Sequence, residues 1–543
     1  MPVPRSRNKL QPFLKRLNIR LAGLQTDWRT IQLARQVSRH SPLDEGKKPV
    51  IFFNASTRLN TLSQNAGFAM LAAWAVQLAG SPVIHFVCQA GMSRCVLGTD
   101  QDDFGVTPPC QACMRQSRLN THAAQVRPFV YREDTNLQTC LVDLTLDALA
   151  GFEYPLADRS LPLGALVLPS IRWRLRRSSL PDDEDTRFLF RQYILSAWNV
   201  AREFEALLED TQPQAVLVFN GQFFPEAVVR WLCQQRGIFS VTHEVAMQPL
   251  SGFFTPGEAT AYPISMPENF ALTDAQNTRL DAYLEKRLQG NFSMAGIHFW
   301  PEMKTLAPAF LEKAARFKQI VPIFTNVIFD TSQPQSNVVF EDMFAWLDLV
   351  LELVQRHPET LFVLRAHPDE KRAGKQSLQS VSAWAVEHGV NGLENVVFVD
   401  SLEYISSYEL IEHSKFIMTY NSTIGLEAAI LGKAVLCAGR SRFTSYPIVF
   451  FPDTPAGYRN QAEDFLAADR VQVPPKFSEN ARRFLYYQLY RSSLPFNEFL
   501  EPSLVPGVIQ LKKSNWKAIA NSPVMKTLVQ GLVEQTPFLF TQD

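Results

Sequence analysis

Short runs that are apolar throughout, each followed by a helix-length stretch, recur along this chain and leave few folds open to it. Val50–Asn54 is one such run; it leads through a helical stretch over Gly67–Leu78 into another, Val83–Val87. A strand without polar alternation is covered on both faces, as in a parallel sheet with helices above and below. The unit returns at Ala215–Phe219, with a helix over Glu226–Arg236, a strand at Phe239–His243, and Gly237 where a left-handed cap is usually needed. A third series begins near Gln319, with strands at Ile320–Thr325, Leu361–Arg365, Val396–Val399, Phe416–Thr419 and Ala434–Cys437. Between them, Phe344, Leu347, Leu351 and Val354 mark one helix face, and Ser422–Leu431 reads as a helix closed by Gly432. The stretch Met247–Ser265 reads as a loop, and Arg482–Leu500 looks helical.

At 543 residues the chain is too long for one core. The fold class expected is α/β: two facing doubly wound parallel-sheet, Rossmann-like domains with a cleft between them. Residues 1–47 form a basic N-terminal helical segment, and 48–300 an acceptor-side domain with a Cys-rich insertion at 88–118. Residues 301–480 form a nucleotide-binding domain, and 481–543 a helical segment packing across both. Lys+Arg and Asp+Glu are equal at 53 each, which argues against a nucleic-acid partner.

Residues 1–24 carry Arg5, Arg7, Lys9, Lys15, Arg16 and Arg20 before the first acid, Asp27, with no continuous apolar stretch of the secretory kind. Gly67 to Ala79 is too short to span a bilayer, so the expected location is cytoplasmic. Leu10, Phe13, Leu14, Leu17, Leu21 and Leu24 make the early segment amphipathic and basic. Such a segment can rest on an anionic membrane at the inner face of the cell. A first helix packed on the fold is the reading that the frequency of amphipathic surface helices favours.

Ligands of doubly wound sheets bind outside the carboxyl ends of the strands. The polar residues expected there are Asn326 and Asp330, then Arg365-Ala366-His367-Pro368, then Asn421-Ser422-Thr423. Ser422 or Thr423 can cap the following helix and leave backbone N–H groups for a phosphate. Gly425 lets the backbone approach closely, and Glu427, a turn further on, can accept from ribose hydroxyls. Arg365 and His367 supply two cations at a strand end, where the proline fixes the turn.

Residues 319–450 resemble the C-terminal half of the capsule-polysaccharide-biosynthesis and Kdo-transferase-like glycosyltransferases, which have the GT-B fold. The residues that carry the likeness are Phe324-Thr-Asn326-Val-Ile-Phe-Asp330, Arg365-Ala-His367-Pro368-Asp-Glu370 and Asn421-Ser422-Thr423-Ile-Gly425-Leu-Glu427-Ala-Ala-Ile-Leu-Gly432-Lys433. The resemblance implies a nucleotide-sugar donor (CMP-, UDP- or GDP-linked), with His367 and Ser422/Thr423 on its phosphate and Glu427 on its ribose. It implies a glycan or glycolipid acceptor of the capsule or lipopolysaccharide kind, on the N-terminal side. There Glu244, with His243 beside it, is the expected general base. Asn54, Ser56, Thr57 and Arg58, with Asn220-Gly221, would line the acceptor side. Two other readings keep the same plan: a sugar-nucleotide epimerase, which needs no acceptor, and a non-catalytic component of capsule assembly or export.

Asp100-Gln-Asp102-Asp103 and Asp182-Asp-Glu-Asp185 approximate a metal-binding acidic pair, but both lie in polar segments away from any apolar strand. Catalysis is therefore expected to need no cofactor or metal. Cys88, Cys95, Cys110 and Cys113, spaced C-x6-C-x14-C-x2-C, fit a four-thiolate structural site, most often zinc, with an iron–sulfur cluster left open.

Overall fold

The computed structural model describes residues 10–42, 44, 46–53, 60–290, 293–294, 297–298, 304–330, 332–372 and 376–541. Its first element, helix α1 (Leu10–His40), precedes strand β1 (Val50–Phe53), and helix α2 (Gln64–Leu78) connects β1 to β2 (Val83–Cys88). Helix α3 (Cys110–Asn120) leads into β3 (Gln125–Phe129). The long helix α4 (Glu184–Thr211) then returns the chain to β4 (Ala215–Phe219), α5 (Phe224–Gln235), β5 (Ser240–Val245) and β6 (Ser251–Thr255). The strands β3, β2, β1, β4 and β5 lie side by side and parallel, in that order, and β6 is added antiparallel to β5.

The unbroken apolar character of β1 has the expected consequence. Ile51 and Phe53 pack with Leu189, Phe204 and Val228 of α4 and α5 on one face. Val50 and Phe52 pack with Phe68, Leu71 and Leu528 on the other. Burying all four side chains is worth roughly 1.5–3 kcal/mol each, which holds the sheet between two helical layers.

Helix α6 (Asp274–Leu288), entered through a Thr273/Gln276 capping box, links the first sheet to the second. There β7 (Gln319–Phe324), α7 (Met343–Arg356), β8 (Thr360–Arg365), β9 (Val396–Val399), β10 (Ile417–Thr419), α8 (Ile424–Ile430) and β11 (Val435–Cys437) follow in turn. Their order in space is β9-β8-β7-β10-β11, all parallel. The chain is thus α/β in the GT-B-like manner, with two doubly wound sheets facing one another. In each sheet the connection reverses beside the first strand, so a crevice opens there: between β1 and β4 in one, and β7 and β10 in the other.

The last segment is less helical than its composition suggests. Helix α9 (Pro475–Tyr486) packs on α8 of the second domain. The chain then crosses back, and β12 (Leu494–Pro495) pairs with β6 as the edge strand of the first sheet. Helix α10 (Pro523–Val533) closes on α2. The first domain is therefore finished by residues far from it in sequence. Between the domains, Ser178 donates to Asp342 (3.0 Å), and the Arg176 guanidinium lies between the rings of Trp173 (4.5 Å) and Phe329 (4.8 Å). Glu258 accepts from Gln222 of the first domain (2.6 Å) and from Gln335 of the second.

Candidate functional site

The carboxyl ends of β7, β8, β10 and β11 converge on a cavity of about 330 Å³. Asn326, Asp330, Arg365, His367, Asn421, Ser422, Thr423 and Glu427 all line it, so the two motif-bearing turns meet as the strand-end rule expects. Its other wall is Thr260 and Ala261 of the first domain, with Arg287 of α6. The cavity therefore lies where the domains face each other.

Each lining side chain has a distinct local role. Asn326 donates to Asn421 (2.5 Å), which donates to Ser336 (2.7 Å), so the two asparagines tie the β7 and β10 turns together across the switch point. Arg365 is buried and donates to Ser407. Burial pulls its guanidinium down to about 10, against the fields of Tyr408 and Glu403. His367 caps the short turn that begins at Pro368, its Nδ1 accepting the Asp369 N–H at 3.1 Å. The neutral ring then keeps its proton on Nε2, a donor on the cavity wall. Burial lowers its pKa; Asp369 and Asp330 oppose this, and Arg365 and Arg372 add to it.

Ser422 and Thr423 stand at the start of α8, but Thr423 makes no side-chain cap. Gly425 is buried against the sheet: a Cβ there would stand 3.1 Å from Thr419 and 3.3 Å from Phe443 and Val435. Its bareness serves helix-to-strand packing, and that close approach is not directed at a ligand. Both Glu427 oxygens are already engaged. Arg287 binds Oε1 (2.6 and 2.7 Å) and the Tyr408 hydroxyl donates to Oε2 (2.5 Å). The ion pair is 4% and 6% exposed. Burial works against the Arg287 charge, but Glu427 outweighs it and the guanidinium is held well above its ordinary value. Glu427 thus locks α6 to α8 beside the cavity.

Sequence reasoning passed over Arg440 and Arg442, which follow β11 and line the same cavity. They obey the strand-end rule applied to the other three strands, and the strand before them was legible. Arg442 is half-buried, with its guanidinium 4.2 Å from the centre of the Tyr262 ring. Among the described residues no carboxylate forms an ion pair with it. Burial lowers its pKa, with Tyr262 and Asp330 opposing and Arg287 adding. In all, four guanidinium groups (Arg287, Arg365, Arg440, Arg442) face three carboxylates (Asp330, Asp369, Glu427). Asp369 is paired with Arg372, which is outside these four, and Glu427 with Arg287. The balance left over favours an anion.

Across the cleft, Glu244 near the end of β5 is held by three donors: Val245 N–H (2.8 Å), Asn65 (2.9 Å) and Asn220 (3.2 Å). Burial raises its pKa, the three hydrogen bonds oppose this, and Asp330 of the second domain raises it further; Glu244 itself is not among the residues that line the cavity. Asn220 reaches it from a left-handed backbone position (φ 62°) just before Gly221 (φ 85°). His243 corrects the expectation set for it. Strand alternation turns it to the opposite face, where it is fully buried between Phe219 and Phe254, and burial lowers its pKa to about 3. Neither ring nitrogen has a hydrogen-bond partner among the described residues. Asn54, Ser56, Thr57 and Arg58 lie outside the described residues.

The acidic runs are local devices, as their polar setting suggests: Asp100 accepts from the N–H groups of Asp102 and Asp103, and Asp183 caps α4. The four cysteines carry free thiols. Burial pushes the Cys88 and Cys95 thiols up to about 12, and the other thiols of the cluster add to this, so all four sit within electrostatic reach. Gly91 N–H and Gly98 N–H donate to Cys88 Sγ and Cys95 Sγ, each at 3.2 Å. Among the described residues no group of three or more such side chains stands at a spacing that could hold a metal ion.

Residues 306–448 match the family described as capsule polysaccharide biosynthesis protein, and the resemblance read from the motifs is borne out over that segment. A curated relative, Protein FixF of Sinorhizobium fredii (strain NBRC 101917 / NGR234), is 28% identical over 244 residues, 43% of this chain and 50% of that protein. The chain spans about half the length of the curated relative it matches. Similar solved structures include KpsC of Thermosulfurimonas dismutans, a beta Kdo 2,4 transferase (13% identity, 58% of this chain, 87% of that chain, TM-score 0.35). A putative UDP-N-acetylglucosamine 2-epimerase from Listeria monocytogenes is another (11% identity, 81% and 95% covered, TM-score 0.25). Scores this low carry no functional weight.

Proposed function

We propose that this chain is a glycosyltransferase. It moves a sugar from a nucleotide-sugar donor held by the second domain to a surface-glycan acceptor, of the capsule or lipopolysaccharide kind, presented by the first. One observation carries the reading: the cation-rich cavity at the switch point of the second sheet, closed by the first domain, lined by the motifs of the matched family segment. A donor phosphate would take hydrogen bonds from His367 Nε2–H, the Ser422 and Thr423 hydroxyls and the Arg440 and Arg442 guanidinium groups. Fixed donors of this kind stabilise the charge that grows on the leaving nucleotide as the glycosidic bond breaks, and the step needs no metal.

On the acceptor side Glu244 is the base we assign. Its raised pKa suits a carboxylate that must take a hydroxyl proton as the new bond forms. Asn65 and Asn220 orient it. In this scheme Glu427 is a positioning residue and His243 has no part in the chemistry. Cys88, Cys95, Cys110 and Cys113 do not stand at ligating spacing in this structure and would have to draw together to hold a structural zinc ion; N–H donors aimed at sulfur are what a thiolate ligand requires, and the two glycines supply them for Cys88 and Cys95. Thermal shift of the purified chain against a panel of nucleoside mono- and diphosphates tests the reading. Stabilisation by one base family is expected, and no response to any nucleotide, in wild type and His367→Ala alike, removes it.

A further inference from the structure

Helix α1 carries two apolar faces, and the fold uses one of them. At about 100° per residue, Thr26, Thr30, Leu33 and Val37 share one side of the helix, and all four are buried. Leu17, Leu21, Leu24 and Trp28 fall within an arc of about 60° on the opposite side. Their exposures are 42%, 49%, 60% and 59%. The sequence expectation that this helix simply packs on the fold is met by its second half alone.

The direction of the helix places this stripe. Arg29 donates to the Leu511 carbonyl (2.7 Å), and neighbouring Val508 bridges Ser63, the residue that caps α2. The first turn of α2 also holds Asn65, the donor to Glu244. At Arg29 the helix has therefore reached the carboxyl edge of the first sheet. The turns before it continue past that edge on the side from which an acceptor would enter.

We propose that the Leu17, Leu21, Leu24 and Trp28 stripe is a docking face for an anionic lipid surface, seating the acceptor side of the protein on a membrane. Charge complementarity selects this occupant. Residues 1–24 hold six basic residues and no acid, in a chain whose charges balance only when these six are counted. Lipid headgroups of negative charge answer that excess, whereas a second copy of the same helix would set cation against cation. Leucines with one tryptophan on the apolar side are the composition of a helix lying in the interface. Among the described residues no helix is long and apolar enough to cross a membrane, so the contact is with the surface.

The full chain, without nucleotide, is mixed with phosphatidylcholine vesicles containing about one-third phosphatidylglycerol, and with pure phosphatidylcholine vesicles, then sedimented. Binding to the anionic vesicles is expected, weakening with salt and on pure phosphatidylcholine. L21E/L24E should bind at least about tenfold more weakly with an unchanged melting temperature, since both side chains stand in water. Arg20→Gln should cost roughly fivefold on anionic vesicles only. Wild-type protein that stays in the supernatant, or L21E/L24E bound as well as wild type, overturns the proposal. So does light scattering that finds a wild-type dimer made monomeric by L21E/L24E, with vesicles ignored by both. Because no donor is present, any of these results leaves the nucleotide reading as it stood.

Discussion

Removing the Arg442 guanidinium should separate two effects that usually travel together. In the free protein this cation is half-buried, rests on the Tyr262 ring and has no carboxylate paired with it among the described residues. Burial already disfavours its charge. Arg442→Ala therefore loses a cation–π contact of about 1 kcal/mol and regains the cost of desolvating a charge, so the stability of the free protein should change by less than about 1 kcal/mol. A bound phosphate loses a charge-assisted hydrogen bond worth about 1.5–3 kcal/mol, which weakens nucleotide affinity roughly 10- to 150-fold. At a nucleotide concentration of about 100 times the wild-type Kd, wild type gains about 2.7 kcal/mol, and a variant weakened about 50-fold gains about 0.6 kcal/mol. For a domain of this size that is a shift of roughly 5–10 °C falling to about 1–3 °C. Isothermal titration with the nucleotide found in the thermal screen gives the affinity directly. Arg442→Lys should recover part of the loss, since it returns the charge without the planar fork. Affinity within about twofold of wild type in Arg442→Ala would sink the claim that β11 supplies the anion site.

Four other outcomes follow from the same geometry. Arg287→Ala strands a buried carboxylate and should cost about 3–5 kcal/mol in urea unfolding, while Arg287→Met with Glu427→Leu should recover most of it; nucleotide affinity kept in that double variant, which has no acceptor left at 427, would show that Glu427 serves the fold and not the ribose. Glu370, pushed up to about 7 by burial, binds its proton more tightly folded than unfolded, so its drag on stability is complete above pH 7 and disappears as pH falls toward the unfolded value of about 4.3. Glu370→Gln should stabilise the protein by up to about 3 kcal/mol at pH 8 and by nothing measurable at pH 4, as read by melting temperature across that range. Glu244→Gln should keep nucleotide binding and lower transfer by about 10²–10⁴-fold, and the acid limb of the wild-type rate profile should lie above the ordinary carboxylate range; an unchanged rate rejects Glu244 as the base. Purified protein should carry one zinc ion per chain by elemental analysis, and Cys110→Ser with Cys113→Ser should abolish it; metal-free wild-type protein grown with ample zinc rejects the cluster as a site.

What the sequence disclosed and what it withheld divide along physical lines. Strands buried on both faces were readable because little but apolar residues survives there: Ala215–Phe219 appears with the bounds that its composition suggests, and Thr360–Arg365 within one residue of them. Two other strands escaped, each for its own reason. Gln125–Phe129 exposes four of its five residues and carries a proline, as an edge permits. Ser251–Thr255 hides between turn residues, and its Gly252 is bare because a Cβ would meet Phe254, Phe68 and Phe496 at 2.8–3.2 Å. The site shows the same division. Strand-end position located His367, Ser422 and Thr423 without any long-range knowledge, but what Glu427 does depends on Arg287, 140 residues away, and what His243 does depends on which face its strand turns inward. Local pattern can say that a polar side chain stands at the mouth of a sheet. Whether that side chain is left for a ligand or consumed by the fold depends on partners brought from elsewhere. The Arg287–Glu427 pair and the Tyr262–Arg442 contact are two answers to that question in one cavity: the first acid is neutralised by the fold, and the second cation is kept for an anion that the fold does not supply.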